Sequence, residues 1–257
     1  MAGMTGMELG LSGKSVAVMG ASSGLGRAVA LEFAKANANV TLFARRETEL
    51  MEVAEQVVKY GVACRIVAGD MTHIEDIIEF AHVAKDNGDG YIDALFLNGG
   101  GPTPGKFADF NDKDWSDAYR LTLMAYVRTI RACLPAMPSG DGDGAILANT
   151  SSSVKVPMDG MVLSNTFRLG IIGLVKSLAV ELAPNVRVNA IAPGRITTDR
   201  TIELGGGIDE STMAKIPMRR YGVVSEFARV AVFYCSQASS YITGQTVIVD
   251  GGYTKAI

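Results

Sequence analysis

Three clusters of residues in this chain have types and spacings that could do chemistry. In "GASSGLGRA", Gly20, Gly24 and Gly26 follow directly on the apolar run "SVAVMG" (15–20). Glycines there let the backbone approach a pyrophosphate and turn tightly into a helix, whose N-terminus favours negative charge. The same trio also suits an ordinary tight turn, and its place between a strand and a helix is what gives it weight. "TSSS" (150–153) sets hydroxyls after a second apolar run, where serines also serve as plain turn residues. "SNTFR" (164–168) places Ser164 and Arg168 four residues apart, hence on one face of a helix. A guanidinium can hold oxygens there, but it cannot shed a proton at working pH.

Elements able to position these clusters alternate along the chain. Apolar runs suited to buried parallel strands cover 15–20, 39–44, 63–69, 92–98, 144–151, 186–193 and 245–252. Helical patterns follow from about residue 24 and over 46–60, 73–87, 112–134 and 164–183. Strand and helix in alternation predict an α/β fold: a three-layer, doubly wound parallel sheet of about seven strands with helices on both faces. Crossovers in such sheets are right-handed, and ligands bind beyond the carboxyl ends of the strands. The glycine and serine clusters fall at such ends. No linker divides residues 1–257, so one domain is expected, with 1–11 as a loose tail.

Composition excludes several classes. The chain has 257 residues, 48% of them hydrophobic, enough for one large core. A net charge of -3 advertises neither nucleic acid nor an anionic membrane as partner. Cys64, Cys133 and Cys235 are odd in number and far apart, without metal or disulfide spacing, which fits a reducing cytoplasm. No apolar run reaches the roughly 18 residues of a membrane span, because "IIGLVKSLAVELA" is interrupted by Lys176 and Glu181. The opening "MAGMTGMELG" lacks the build of a signal peptide.

The spacing Gly-x-x-x-Gly-x-Gly, "NGGG" (98–101), "TSSS", "PGRITT" (193–198) and "YITGQTVIVDGG" (241–252) together resemble the short-chain dehydrogenase/reductase family, from about Ser12 to Tyr253. "PGRITTDR" and the closing "VDGG" are most similar to the 3-oxoacyl-carrier-protein reductase branch. The resemblance implies a Rossmann-type NAD(P) site. Gly20, Ser22, Ser23, Gly24, Leu25 and Gly26 would cradle the pyrophosphate. Asp70 and Met71 would meet the adenine, and Asn98 and Gly99 the ribose. Pro193 and Gly194 complete the cofactor set. Where NAD-preferring members carry an acid after the second strand, this chain has Ala44, Arg45 and Arg46. A guanidinium at Arg45 can fork onto a 2′-phosphate, so NADP(H) is expected over NAD(H). Alternatively, both arginines simply open an exposed helix, with Arg46 paired to Glu49.

The family's Asn, Ser, Tyr and Lys align with Thr122, Ser152, Ser164 and Arg168. Ser151 is a rival for Ser152. Arg168 keeps a cation at the cofactor ribose, but the acidic phenol is gone. Solvent water, Ser152 or Lys155 would deliver the proton, while Tyr119, Tyr126 and Tyr221 read as packing or large-residue positions. Two functions follow. One is an atypical NADP-dependent reductase of a small carbonyl or acyl substrate; the other is a dinucleotide-binding sensor or scaffold without turnover. Halohydrin dehalogenases share the fold and the Arg, but they keep the Tyr and lose the glycine pattern, the reverse of this chain. The resemblance also implies a substrate lid near 197–217 and a homotetramer or homodimer.

Overall fold

A computed structural model describes residues 8–140, 144–198 and 209–256. Seven parallel strands form one sheet in the order β3-β2-β1-β4-β5-β6-β9. They are β1 (Ser15–Met19), β2 (Asn39–Ala44), β3 (Cys64–Ala68), β4 (Ala94–Leu97), β5 (Gly144–Asn149), β6 (Val186–Pro193) and β9 (Thr246–Val249). A strand shows alternate side chains to opposite faces, and β1 shows both sides of that rule. Val16 and Val18 join Phe33, Leu50 and Phe227 in one apolar layer, whereas Ala17 and Met19 join Phe80, Tyr126 and Ile171 in the other. The first layer is covered by α1 (Gly24–Lys35), α2 (Glu47–Val57) and α8 (Val224–Tyr234). The second is covered by α3 (Ile74–Asp86), α5 (Ala125–Cys133) and α6 (Val162–Glu181). The three-layer, doubly wound α/β architecture is therefore as the hydrophobic pattern predicts.

Several boundaries differ, for identifiable reasons. The helix expected over 112–134 is α4 (Asp112–Tyr119), a π-helical turn over Arg120–Met124, and then α5. A π turn carries an extra residue that hydropathy alone does not reveal, and here it contains buried Thr122. Strand β5 stops at Asn149, and Ser151 caps a short 3-10 turn, Ser152–Val154, where the apolar run had suggested strand to 151. A small second sheet pairs β7 (Ile196–Thr197) with β8 (Gly222–Val223). In the N-terminal segment, Leu11 is buried and the Leu9 carbonyl accepts from the Gln237 N–H, so packing begins before residue 11; residues 1–7 lie outside the described residues. The expected lid over 197–217 is described only at its ends, where α7 (Glu210–Lys215) leads to buried Ile216; 199–208 lie outside the described residues.

One described helix, α6, is long and apolar enough by length and composition to cross a membrane, which reading uninterrupted apolar runs missed. Ile171, Val175 and Ala179 on this helix are buried in the second layer, and Ser164 and Arg168 on the same helix are buried too. It packs as a core helix of the sheet.

Candidate active site

Strand β1 lies between β2 and β4, so the chain changes direction across the sheet at the carboxyl ends of β1 and β4, where a ligand crevice opens. Gly20 adopts φ +62°, and a Cβ there would meet the Asn98 carbonyl oxygen at 2.6 Å and its Nδ2 at 2.7 Å. A Cβ on Gly26 would collide with the Gly20 carbonyl. Both glycines are thus required by close approach. Asn98 Nδ2 donates to the Gly20 carbonyl at 3.4 Å, and Asn149 Nδ2 donates to Asn98 Oδ1 at 2.8 Å, tying the ends of β1, β4 and β5 together. Helix α1 begins at Gly24 behind Ser23, with no side-chain cap and no acid in its first turn. Its first N–H groups are left for an anion. A glycine cradle beside an uncapped helix start fits a dinucleotide pyrophosphate. Leu25 is half-buried against the core, and Thr198 lies 3.6 Å from where a Gly24 Cβ would stand.

At the rim, Arg45 is exposed and makes no side-chain hydrogen bond or ion pair among the described residues, whereas Arg46 does both. Arg46 Nη2 donates to the Ser22 and Ser23 hydroxyls at 3.1 and 2.9 Å, and its Nη1 pairs with Glu49 at 3.0 Å. Asp70 accepts from the Thr72 N–H and hydroxyl, both at 2.8 Å. Burial alone would raise its pKa, but the Thr72 bonds and the nearby Arg45 and His73 hold it below the usual carboxylate value. Met71 Sδ lies 3.0 Å from where a Gly99 Cβ would stand. Pro193 ends β6, and the Gly194 N–H donates to the Val249 carbonyl at 3.0 Å. A Cβ on Gly194 would collide with Asp250.

The chemistry-bearing side chains converge at the end of β5. Arg168 is buried on α6. Its Nε donates to Ser164 Oγ at 3.2 Å, and its Nη1 donates to the Thr150 and Asn149 carbonyls at 3.0 and 3.4 Å. Ser151 accepts from the Ser153 N–H at 3.2 Å, so this rival hydroxyl caps a turn. Ser152 is buried, and its Oγ has no partner among the described residues; the same holds for Thr122 Oγ1 in the π turn and for Asn149 Oδ1. Buried hydroxyls without partners are costly and mark places where a ligand or water completes the bonding. Lys155 is exposed.

Tyr126 does more than pack. Its phenol accepts from the Gly99 N–H at 3.2 Å and donates to the Asn149 carbonyl at 2.9 Å. Burial pushes its pKa up to about 12, against the pull of the Arg168 cation and the Gly99 N–H. Tyr119 packs on Phe167 with ring centroids 6.0 Å apart, and Tyr221 is buried.

The model of the enoyl-(acyl carrier protein) reductase family matches residues 20–254. A 3-oxoacyl-[acyl-carrier-protein] reductase of Aquifex aeolicus is 36% identical over 249 residues, covering 96% of this chain and 99% of its own. The chain belongs to the short-chain dehydrogenase/reductase family. Its members are oxidoreductases acting on C=O and CH–OH groups. Among solved structures of the family, L-sorbose reductase from Gluconobacter frateurii, complexed with NADPH and L-sorbose, matches with a TM-score of 0.91 and 31% identity, covering 98% of this chain and all of its own. A short-chain oxidoreductase from Pseudomonas aeruginosa PAO1, NADPH-bound and containing an atypical catalytic center, matches with a TM-score of 0.89 and 28% identity, covering 96% of this chain and 99% of its own.

The short-chain dehydrogenase/reductase frame brings Ser164 and Arg168 together, and Gly20 and Gly26 with Asn98. Sequence reading did not single out Asn149 or the Tyr126 hydroxyl, and it paired Arg46 with Glu49, as found, without its bonds to Ser22 and Ser23. The signals for Asn149 and Tyr126 were present: a polar residue ending an apolar strand, and a phenol four residues after Thr122.

Proposed function

We propose that the chain is an NADP(H)-dependent reductase of a small carbonyl substrate of the 3-oxoacyl kind, working through a Ser152–Ser164–Arg168 site. The observation that carries this reading is Arg168, bonded to the end of β5 and to Ser164, beside a Ser152 hydroxyl with no protein partner. When bound, the reduced nicotinamide supplies the hydride. The glycine turn and the start of α1 hold the pyrophosphate, Asp70 and Met71 the adenine, and Asn98 and Gly99 the ribose. Arg45 reads the 2′-phosphate, with Arg46 bracing Ser22 and Ser23. Ser152 donates a hydrogen bond to the substrate carbonyl oxygen and polarises it. Ser164, accepting from Arg168 Nε, keeps its own proton to donate. Arg168 takes ribose oxygens as a fixed cation. Proton delivery falls to solvent water, Ser152 or Lys155, none as strong an acid-base partner as the lost phenol. Positioned acid–base groups contribute typically ~10²–10⁴ in rate, so turnover is expected to be slow but aligned.

The same reading includes a lid over 197–217, a homotetramer or homodimer formed through the α4–α5 and α6 faces, and a cytoplasmic setting. Exposed Leu169 and Val180 on α6 support self-association, and three free cysteines support a reducing compartment.

One observation favours a second reading, a dinucleotide-binding sensor without turnover. The Tyr126 phenol, which Arg168 influences, is buried, neutral and already engaged by Asn149. Titration of the purified protein with NADPH and NADH, followed by a carbonyl panel, separates the two. Preferential NADPH binding with carbonyl-dependent NADPH consumption is expected. Tight binding without consumption moves the assignment to the sensor, and no binding of either nucleotide removes both.

A further inference from the structure

The segment joining β5 to α6 begins at the turn carrying Ser152 and runs into the first turn of α6, which carries Ser164. Its middle is fastened from two sides. Asn165, the residue after Ser164, turns its amide back onto Met158. Its Nδ2 donates to the Met158 carbonyl at 2.9 Å, and its Oδ1 accepts from the Met158 N–H at 3.3 Å. One side chain thereby pairs with both backbone groups of one residue, as a neighbouring strand would. On the other side, the Gly105 N–H donates to the Gly160 carbonyl at 2.6 Å, and the Val162 N–H donates to the Gly105 carbonyl at 3.4 Å. Gly105 and Met161 form an isolated parallel bridge. A Cβ at 105 would stand 2.6 Å from Phe110 Cζ, so any larger residue there must push the Phe110 ring aside. The loop after β4 and the loop after β5 are therefore stitched to each other and to the first turn of α6.

Asn165 is half-buried, and both of its side-chain hydrogen bonds go to Met158 rather than to Ser152, Ser164 or Arg168. Its two bonds have no helix-forming purpose, since the Asn165 N–H already enters the helix by donating to the Met161 carbonyl at 2.8 Å. Amide side chains that satisfy a loop backbone in this way fix the loop before any ligand arrives, and preorganised surfaces bind with less ordering cost.

We propose that Asn165 is a positioning residue: it latches Met158 to the first turn of α6 within a loop that Gly105 ties to the segment after β4, and this preformed loop is the wall that sets substrate fit near Ser152 and Ser164. The inference rests on the reductase reading for its substrate half. The latch itself stands on the hydrogen bonds.

The test compares the full chain with Asn165→Leu, which keeps the branched heavy-atom skeleton and makes neither bond, and with Asn165→Asp, which keeps the acceptor and loses the donor. Steady-state rates with NADPH and acetoacetyl-N-acetylcysteamine, NADPH affinity, and amide hydrogen exchange of a peptide covering 156–162 are measured on each. In Asn165→Leu, exchange quickens and KM rises about tenfold, the scale of one or two lost hydrogen bonds, while kcat stays within twofold and NADPH affinity is unchanged. Asn165→Asp falls between. Unchanged exchange overturns the latch. Faster exchange with an unchanged KM overturns the wall, and a matching loss of NADPH affinity makes Asn165 a general fold residue and overturns the proposal. A wild-type protein that consumes no NADPH with any carbonyl defeats the reductase reading and the substrate half together, and the exchange comparison still decides the latch.

Discussion

Arg168 and Tyr126 define what the site can and cannot do with protons. The guanidinium stays charged at any working pH, and the Tyr126 phenol is held neutral up to about 12. Ser152, Ser164 and Thr122 do not titrate in water's accessible range. The hydrogen-bonded site therefore has no group that changes charge near neutrality. We expect kcat to vary less than threefold between pH 7 and 9, read from initial rates under saturating NADPH; a tenfold step per pH unit would show a titrating acid. The raised phenol pKa also has a stability sign. The unfolded phenol ionises near 10 and the folded one near 12, so its contribution is complete below pH 10 and is lost as pH climbs from 10 through 12. Replacing Tyr126 with Phe leaves the buried Asn149 carbonyl and Gly99 N–H short of a partner, which costs about 1–3 kcal/mol. The expected result is a lower melting temperature together with weaker NADPH binding, since Gly99 belongs to the proposed ribose contact. At the rim, Arg45→Asp should lower NADPH affinity at least tenfold and leave NADH affinity similar or better. An unchanged ratio in paired titrations would remove Arg45 as the phosphate reader.

The elements explain which of these residues could be found by eye. Buried parallel strands are nearly continuous apolar runs, and "SVAVMG", "NVTLFA" and "VRVNAIAP" announced β1, β2 and β6 almost to the residue. Glycine chemistry is equally legible, because no other residue tolerates the Gly20–Asn98 and Gly26–Gly20 approaches. A Gly26→Ala variant is expected to lose dinucleotide binding while its far-ultraviolet circular dichroism remains that of an α/β protein, provided the turn relaxes rather than the helix; retained nanomolar-to-micromolar binding would mean the close approach is not needed. The π turn at Arg120–Met124 was not legible, since one extra residue leaves an amphipathic pattern almost intact. Nor were Asn165 and Tyr126 readable as contacts. Their hydroxyl and amide partners are backbone groups, 7 to 27 residues distant in sequence, and backbone groups leave no trace in residue type.

At the scale of the whole molecule, the sheet order places every strand end that matters on one edge of the domain. In the proposed arrangement, the first helix supplies the anion site from one layer, and α6 supplies Ser164 and Arg168 from the other. A ligand held by both layers stabilises the whole fold by mass action, about 2.7 kcal/mol at a concentration one hundred times its Kd. NADPH should raise the melting temperature in proportion to the logarithm of its concentration, and NADH should do so less at equal concentration. Self-association through α4–α5 and α6 should appear as a dimer or tetramer in sedimentation equilibrium. The central claim is that this Ser/Arg site still transfers a hydride. The most direct measurement is incubation with NADPH deuterated at nicotinamide C4 and a panel of 3-oxoacyl thioesters, with the product alcohol examined by mass spectrometry. One deuterium on the former carbonyl carbon, sharply reduced in Arg168→Ala, is the predicted result. Saturable NADPH binding with no label in any product would contradict it.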